Sequence, residues 1–238
     1  MSEANAVTSR ATAPQPTAEP ISVRRANAED LPRIAALHMA AFPELPTTQL
    51  GSDFMMAFYR SFLDEEIGFC LLACRVEGRV LGFIAGSTDV RAQYRHFYSR
   101  HIPMIALAAV RQMRRAPGFG LRLLGYWRRA ADVLLYILRR VGGRRSAPPP
   151  ASAPTLCLVF IAVAEEARGL GVGGALLAPF EEEARRRGCT AIEVRADARN
   201  DGARRFYERF GFAVEGGDGT LRFRKRLAPT PRLAGGAR

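Results

Sequence analysis

The chain has 238 residues, enough for one sizeable domain with an insertion, and its 48% hydrophobic and 24% charged content is that of a globular protein. No apolar run approaches the roughly 18 residues of a membrane-spanning helix, and the Ala-, Thr- and Pro-rich first twenty residues lack the apolar core of a secretory leader, which argues against an integral membrane or exported protein. The net charge of +12 is concentrated: Arg91 to Pro154 holds thirteen arginines against one acid, Asp132, while the rest is balanced at 22 basic and 22 acidic residues.

Residues 1–20 read as a disordered tail. "ISVRRA" (21–26) predicts a first strand. "NAEDLPRIAALHMAAF" predicts a helix led in by Asn27 or Ala28, with acids in its first turn and Pro32 near its start; Leu31, Ile34, Leu37 and Phe42 give its apolar face. "TTQLGSDFMMAFYRSFLDE" (47–65) predicts a second helix, whose aromatic stripe (Phe54, Phe58, Tyr59, Phe62) reads as core packing. "FCLLACRVEGRVLGFIAGSTD" (69–89) predicts two strands turning at Glu77-Gly78.

The basic segment follows and ends in the Pro-rich connector "SAPPPASAP". "TLCLVFIAVA" (155–164) is apolar throughout, as a central or parallel strand is. After a glycine-rich loop a helix runs to Arg187, with Gly188 placed for its C-cap. "TAIEVRAD" predicts a strand, and "NDGARRFYERF" a short helix capped by Asn200 or Asp201. "FAVEG" and "LRFRKRL" predict a closing hairpin, and residues 228–238 a C-terminal tail. The four cysteines form no CxxC and no paired metal spacing, so no metal site is expected. Cys70, Cys157 and Cys189 sit in or beside apolar runs as buried free thiols, which fits a reducing cytoplasm.

The chemistry points to "ARGLGVGGALL" (167–177). Glycines let backbone N–H groups approach a ligand closely, and a loop opening a helix aims unpaired donors and the positive dipole end outward, which makes an anion site. A mononucleotide P-loop needs GxxxxGK[ST], and no lysine is present in this stretch. Gly169, Gly171 and Gly174 do spell GxGxxG, with Glu193 at a distance suited to a ribose contact. However, "EEAR" intervenes after the strand, and too few strand–helix units follow Asp197 for a doubly wound sheet.

"IAVAEEARGLGVGGALL" resembles the acetyl-CoA motif of the GNAT superfamily of N-acetyltransferases, Arg/Gln-x-x-Gly-x-Gly/Ala, with Arg168, Gly171 and Gly173 in register. "NDGARRFYERFGF" is similar to the family's second motif, and the resemblance covers residues 21–90 and 155–227. It implies an α/β fold with a mixed central sheet flanked by helices, and a basic helical insertion (91–154) between the third and fourth strands. It further implies acetyl transfer from acetyl-CoA to a primary amine of a small molecule, such as an amino sugar, or of a peptide. In that picture Arg168 and Gly169, with the amides of Leu170, Val172, Gly173 and Gly174 around Gly171, take the pyrophosphate. The pantetheine arm lies between strands 155–164 and 190–197, and an N–H near Ile161, Ala162 or Val163 polarises the acetyl carbonyl. Tyr207 is the implied proton donor to the thiolate, against its reading as a core aromatic beside Phe206. Asn200 either holds the cofactor or merely caps a helix. Glu44, Glu193, His38, His96 and His101 offer no supported base. The alternative is a catalytically inactive acyl-CoA-binding module. Neither an acyl group longer than acetyl nor any oligomeric state follows from these residues.

The insert holds apolar residues at helical spacing with arginines between them. Three readings stay open: helices packed on the domain, an interfacial element on anionic lipid over 91–145 at the inner membrane surface, or recognition of an anionic acceptor. No nucleic-acid-binding motif accompanies the charge, which ranks nucleic acid last.

Overall fold

A computed structural model of the chain describes residues 20–63, 66–75, 78–116, 154–217 and 219–228. The expected tails lie outside these residues except for Pro20 and Ala228, as does the insert beyond Ala116 up to Ala153. Strands run Ser22–Arg25 (β1), Gly68–Cys74 (β2), Val80–Ser87 (β3), Thr155–Val163 (β4), Ala191–Asp197 (β5), Ala213–Val214 (β6) and Thr220–Arg226 (β7). They form one mixed sheet in the order β1-β2-β3-β4-β5-β7-β6. Only β4 and β5 are parallel; the other neighbours are antiparallel. Among the described residues the α-helices are Leu31–Ala41 (α1), Ser52–Arg60 (α2), Val90–Arg115 (α3), Val172–Arg186 (α4) and Asp201–Arg209 (α5). None is long and apolar enough to cross a membrane.

The sheet separates two cores. On one face α4 and α5 bury Leu176, Phe180 and Tyr207 against Leu158, Ile192 and Phe223. On the other, α1, α2 and the start of α3 bury Ile34, Phe54 and Phe97 against Leu72 and Phe83. Each fully buried aromatic or aliphatic side chain stabilises the fold by about 1.5–3 kcal/mol, so these two layers hold the sheet in place. The aromatic stripe Phe54, Phe58, Tyr59 and Phe62 is core, as its spacing predicts.

Local signals set the element ends. Asn27 caps a 3-10 turn, Ala28–Asp30, through a capping box with Asp30, and α1 follows with Pro32 in its first turn. Gly188 at φ 71° closes α4, where Cys189 N–H donates to the Ala184 carbonyl at 2.9 Å. The helix expected over 47–65 is interrupted. Gly51 adopts φ 100°, which breaks the segment into a 3-10 turn, Thr48–Leu50, and the shorter α2. The free thiols of Cys70, Cys74 and Cys189 are buried, whereas Cys157 is only half-buried.

Candidate active site

β4 and β5 pair over four residues only, from Thr155–Ala191 to Leu158–Val194. The cause lies on the opposite edge of β4. Ala85 pairs with Phe160 but Gly86 pairs with Leu158, so Val159 is an extra residue on β4. A bulge of this kind bends its strand and raises the local twist, and β4 swings away from β5. The parting opens a cleft of about 530 Å³.

The unpaired edge of β4 carries free hydrogen-bonding groups. Ala164 N–H donates to the Leu81 carbonyl on β3 at 2.8 Å. Successive N–H groups of a strand point to opposite edges, so Ala162 N–H also faces β3 while those of Ile161 and Val163 face the gap. Of the three residues expected here, Ile161 and Val163 line the cleft, and Ala162 is buried toward α1 and α2.

At one end of the cleft a 3-10 turn, Glu165–Ala167, leads through Arg168 to the start of α4. Gly169 and Gly171 adopt φ 80° and 81°, a conformation that a side chain would strain. No side chain caps α4. Its first amides, of Val172, Gly173 and Gly174, have no intrahelical acceptor and lie at the positive end of the dipole. Leu170 is exposed, and its own N–H reaches the Ala167 carbonyl at 3.4 Å. Val172 is buried and anchors the turn.

Gly173 and Gly174 have a different task. A Cβ on Gly173 would stand 2.8 Å from the Phe206 ring, and one on Gly174 2.8 Å from the Phe210 ring. They bring α5 against the start of α4. Asn200 caps α5, its Oδ1 accepting from Ala203 N–H at 2.9 Å, and it also lines the cleft. Asn200 therefore caps the helix while facing the cleft.

Tyr207 likewise belongs to the core and to the cleft. Its ring packs on Phe206, Phe212 and Phe223, while the residue lines the gap. Burial pushes its hydroxyl above the usual phenol range, so it stays protonated. No group among the described residues hydrogen-bonds that hydroxyl.

The cleft wall also includes residues not singled out by motif. Phe42, Leu45 and Phe160 form an apolar wall on the α1 side, and Arg195 stands on β5. Among the described residues Asp197 is the one carboxylate lining the cleft, and Arg199, donating to it through side chain and backbone, holds it down to about 2. His38 lies behind Phe42 and Phe160, fully buried between Tyr59 at 2.7 Å and Thr48 at 3.1 Å. Burial pushes it down to about 4, so it is neutral. His96 and His101 are on α3, Glu44 is exposed, and Glu193 sits 3.6 Å from Arg195 without lining the cleft. Among the described residues no cluster of His, Cys, Asp and Glu is arranged to hold a metal. The open β-edge, the uncapped helix start and the space between them fit a coenzyme thioester: amides for its diphosphate, a strand edge for its amide-bearing arm.

The fold is that of known N-acetyltransferases. An N-acetyltransferase of Staphylococcus aureus Mu50 superposes with a TM-score of 0.54 at 16% identity, over 88% of this chain and 99% of that one. The PaiA N-acetyltransferase of Thermoplasma acidophilum, solved in complex with coenzyme A, gives 0.53 at 12% identity over 87% and 99%. The chain belongs to the acetyltransferase (GNAT) family, whose model matches residues 31–212. Curated relatives include the 5-NmdU N-acetyltransferase of Pseudomonas phage PaMx11, 39% identical over 77 residues, covering 31% of this chain and 53% of that protein. An acetyltransferase of Agrobacterium fabrum is 44% identical over 66 residues, covering 28% and 47%. The chain thus spans about half the length of the curated relatives it matches.

Proposed function

We propose that this chain transfers an acetyl group from acetyl-CoA to a primary amine by direct attack in a ternary complex. The observation that carries this reading is the parting of β4 from β5 beyond Leu158 and Val194, with the unpartnered Tyr207 hydroxyl beside it. Arg168 and the first amides of α4 hold the diphosphate, and the Val163 and Ile161 N–H groups align the thioester and polarise its carbonyl. The amine enters from the α1 side, past the apolar wall of Phe42, Leu45 and Phe160. As its nitrogen bonds to the carbonyl carbon the C–S bond breaks, and Tyr207 gives its proton to the departing sulfur. An aspartate held near 2 is a poor base, so the proton of the amine leaves to water rather than to Asp197.

The test combines calorimetry with acetyl-CoA and release of free thiol across pooled amines: amino sugars, polyamines, amino acids, peptides and 5-NmdU. Tyr207→Phe should bind acetyl-CoA as the parent does and lose about 100-fold in turnover, the lower range for general acid catalysis. Unchanged turnover would confine Tyr207 to packing. Cofactor binding with no thiol release from any acceptor would favour the alternative of a non-catalytic acyl-CoA-binding module.

A further inference from the structure

Helix α3 leaves the domain half-docked. Asp89 caps it, accepting from Ala92 N–H at 2.9 Å, and Gln93 and Phe97 are buried, Phe97 with its ring edge-on to Phe54 and Phe58. From Ile102 to Arg115, a length of about 21 Å at 1.5 Å per residue, no described residue covers the outer face. Ile102 is 63% exposed, Val110 46% and Met113 39%. With Ala106 and Ala109 these residues fall at three- and four-residue intervals and make one apolar stripe along the helix. Arg100, Arg111 and Arg114 lie to one side of it, grouped round Leu107, which is 51% exposed.

The charge selects the occupant. Val90–Arg115 contains six arginines and no acid. A second copy docked stripe to stripe would bring two such helices together with no counter-charge. The chain's own residues 117–153 add seven further arginines against Asp132, so they offer no neutralisation either. An apolar stripe on a helix that carries arginines and no acid matches a surface that is apolar below and anionic above, into which the stripe sinks while the guanidinium groups stay at the phosphates. We propose that the outer turns of α3 dock this protein on the surface of an anionic phospholipid bilayer. The contact is independent of what the cleft binds.

Co-sedimentation of the full chain with phosphatidylcholine vesicles, with and without phosphatidylglycerol, tests it. Binding should require phosphatidylglycerol and weaken sharply where salt shortens the screening length to about 3 Å. Arg111→Gln with Arg114→Gln should lower the partition coefficient about 25-fold, at roughly fivefold per charge near an anionic surface. Ile102→Ser with Val110→Ser should also release the protein, and both pairs should keep the parent's melting temperature because these side chains are exposed. No binding of the parent to the anionic vesicles overturns the proposal. So does full binding by the serine pair, since a purely electrostatic surface, as for nucleic acid, would need no stripe. Conversion of a parent dimer to monomer by the serine pair without vesicles would assign the stripe to a second copy instead.

Discussion

Gly173 and Gly202 lie at corresponding places, each in the first turn of its helix, yet their surroundings differ. A Cβ on Gly173 meets the Phe206 ring at 2.8 Å, whereas on Gly202 the nearest atom is Asn200 Oδ1 at 3.5 Å, an ordinary contact. Gly173→Ala should therefore cost about 1–3 kcal/mol by overpacking and weaken acetyl-CoA binding as the start of α4 shifts. Gly202→Ala should be neutral or stabilise by up to about 1 kcal/mol through helix propensity. Thermal melts of the two variants beside the parent check both. The sequence presents the four glycines of 169–174 as one motif. The division into two that need positive φ and two that need space depends on Phe206 and Phe210, which the chain supplies later. Tyr207 was legible because its register in the second motif is local. Phe42, Leu45 and Phe160 were not, because their place on the cleft wall is created by how α1 crosses the sheet.

At the scale of elements, the bulge at Val159 and the approach of α4 to β3 belong together. Gly86, beside the bulge, leaves room for Phe180: a Cβ there would lie 2.5 Å from the ring. The Phe180 ring is fully buried and packs on Phe69, so it has little room to give. Gly86→Ala should destabilise the protein by about 1–3 kcal/mol, read as a drop in the denaturation midpoint at unchanged slope. Element order was readable because apolar periodicity and caps are local properties, and strands, helices and hairpins fall where the pattern predicts. The break at Gly51 and the bulge at Val159 escaped that reading. A glycine at φ 100° is written with the same letter as any other, and a bulge exists only relative to the partner strand.

Across the whole molecule, Glu183 joins what the sequence holds far apart. Its carboxylate on α4 meets Arg25 of β1 at 2.9 Å, Arg186 at 2.7 Å and Arg187 at 2.6 Å. Burial opposes its charge, but the three guanidinium groups together outweigh burial and hold it down to about 2, from 4.5. A carboxylate with a depressed folded value contributes stability that is complete above about pH 4.5 and is lost as pH falls toward about 2. The melting temperature should decline across that window, and Glu183→Gln, less stable at neutral pH, should show a flatter decline. A parent curve as flat as that of the variant would refute the assignment. Charge totals located the basic excess correctly in one internal segment, and α3 shows how part of it is displayed. They carried no information on Glu183, because an ion-pair hub is a property of which elements meet.

The seven strands act mechanically as two panels, β1–β4 and β5–β7–β6, seamed by four residue pairs and then left open. Anything that hydrogen-bonds along the free edge of β4 lengthens that seam and makes the panels breathe as one body. Filling the gap should accordingly slow amide exchange at Ile161 and Val163 first, well before any group at the outer strands registers a guest.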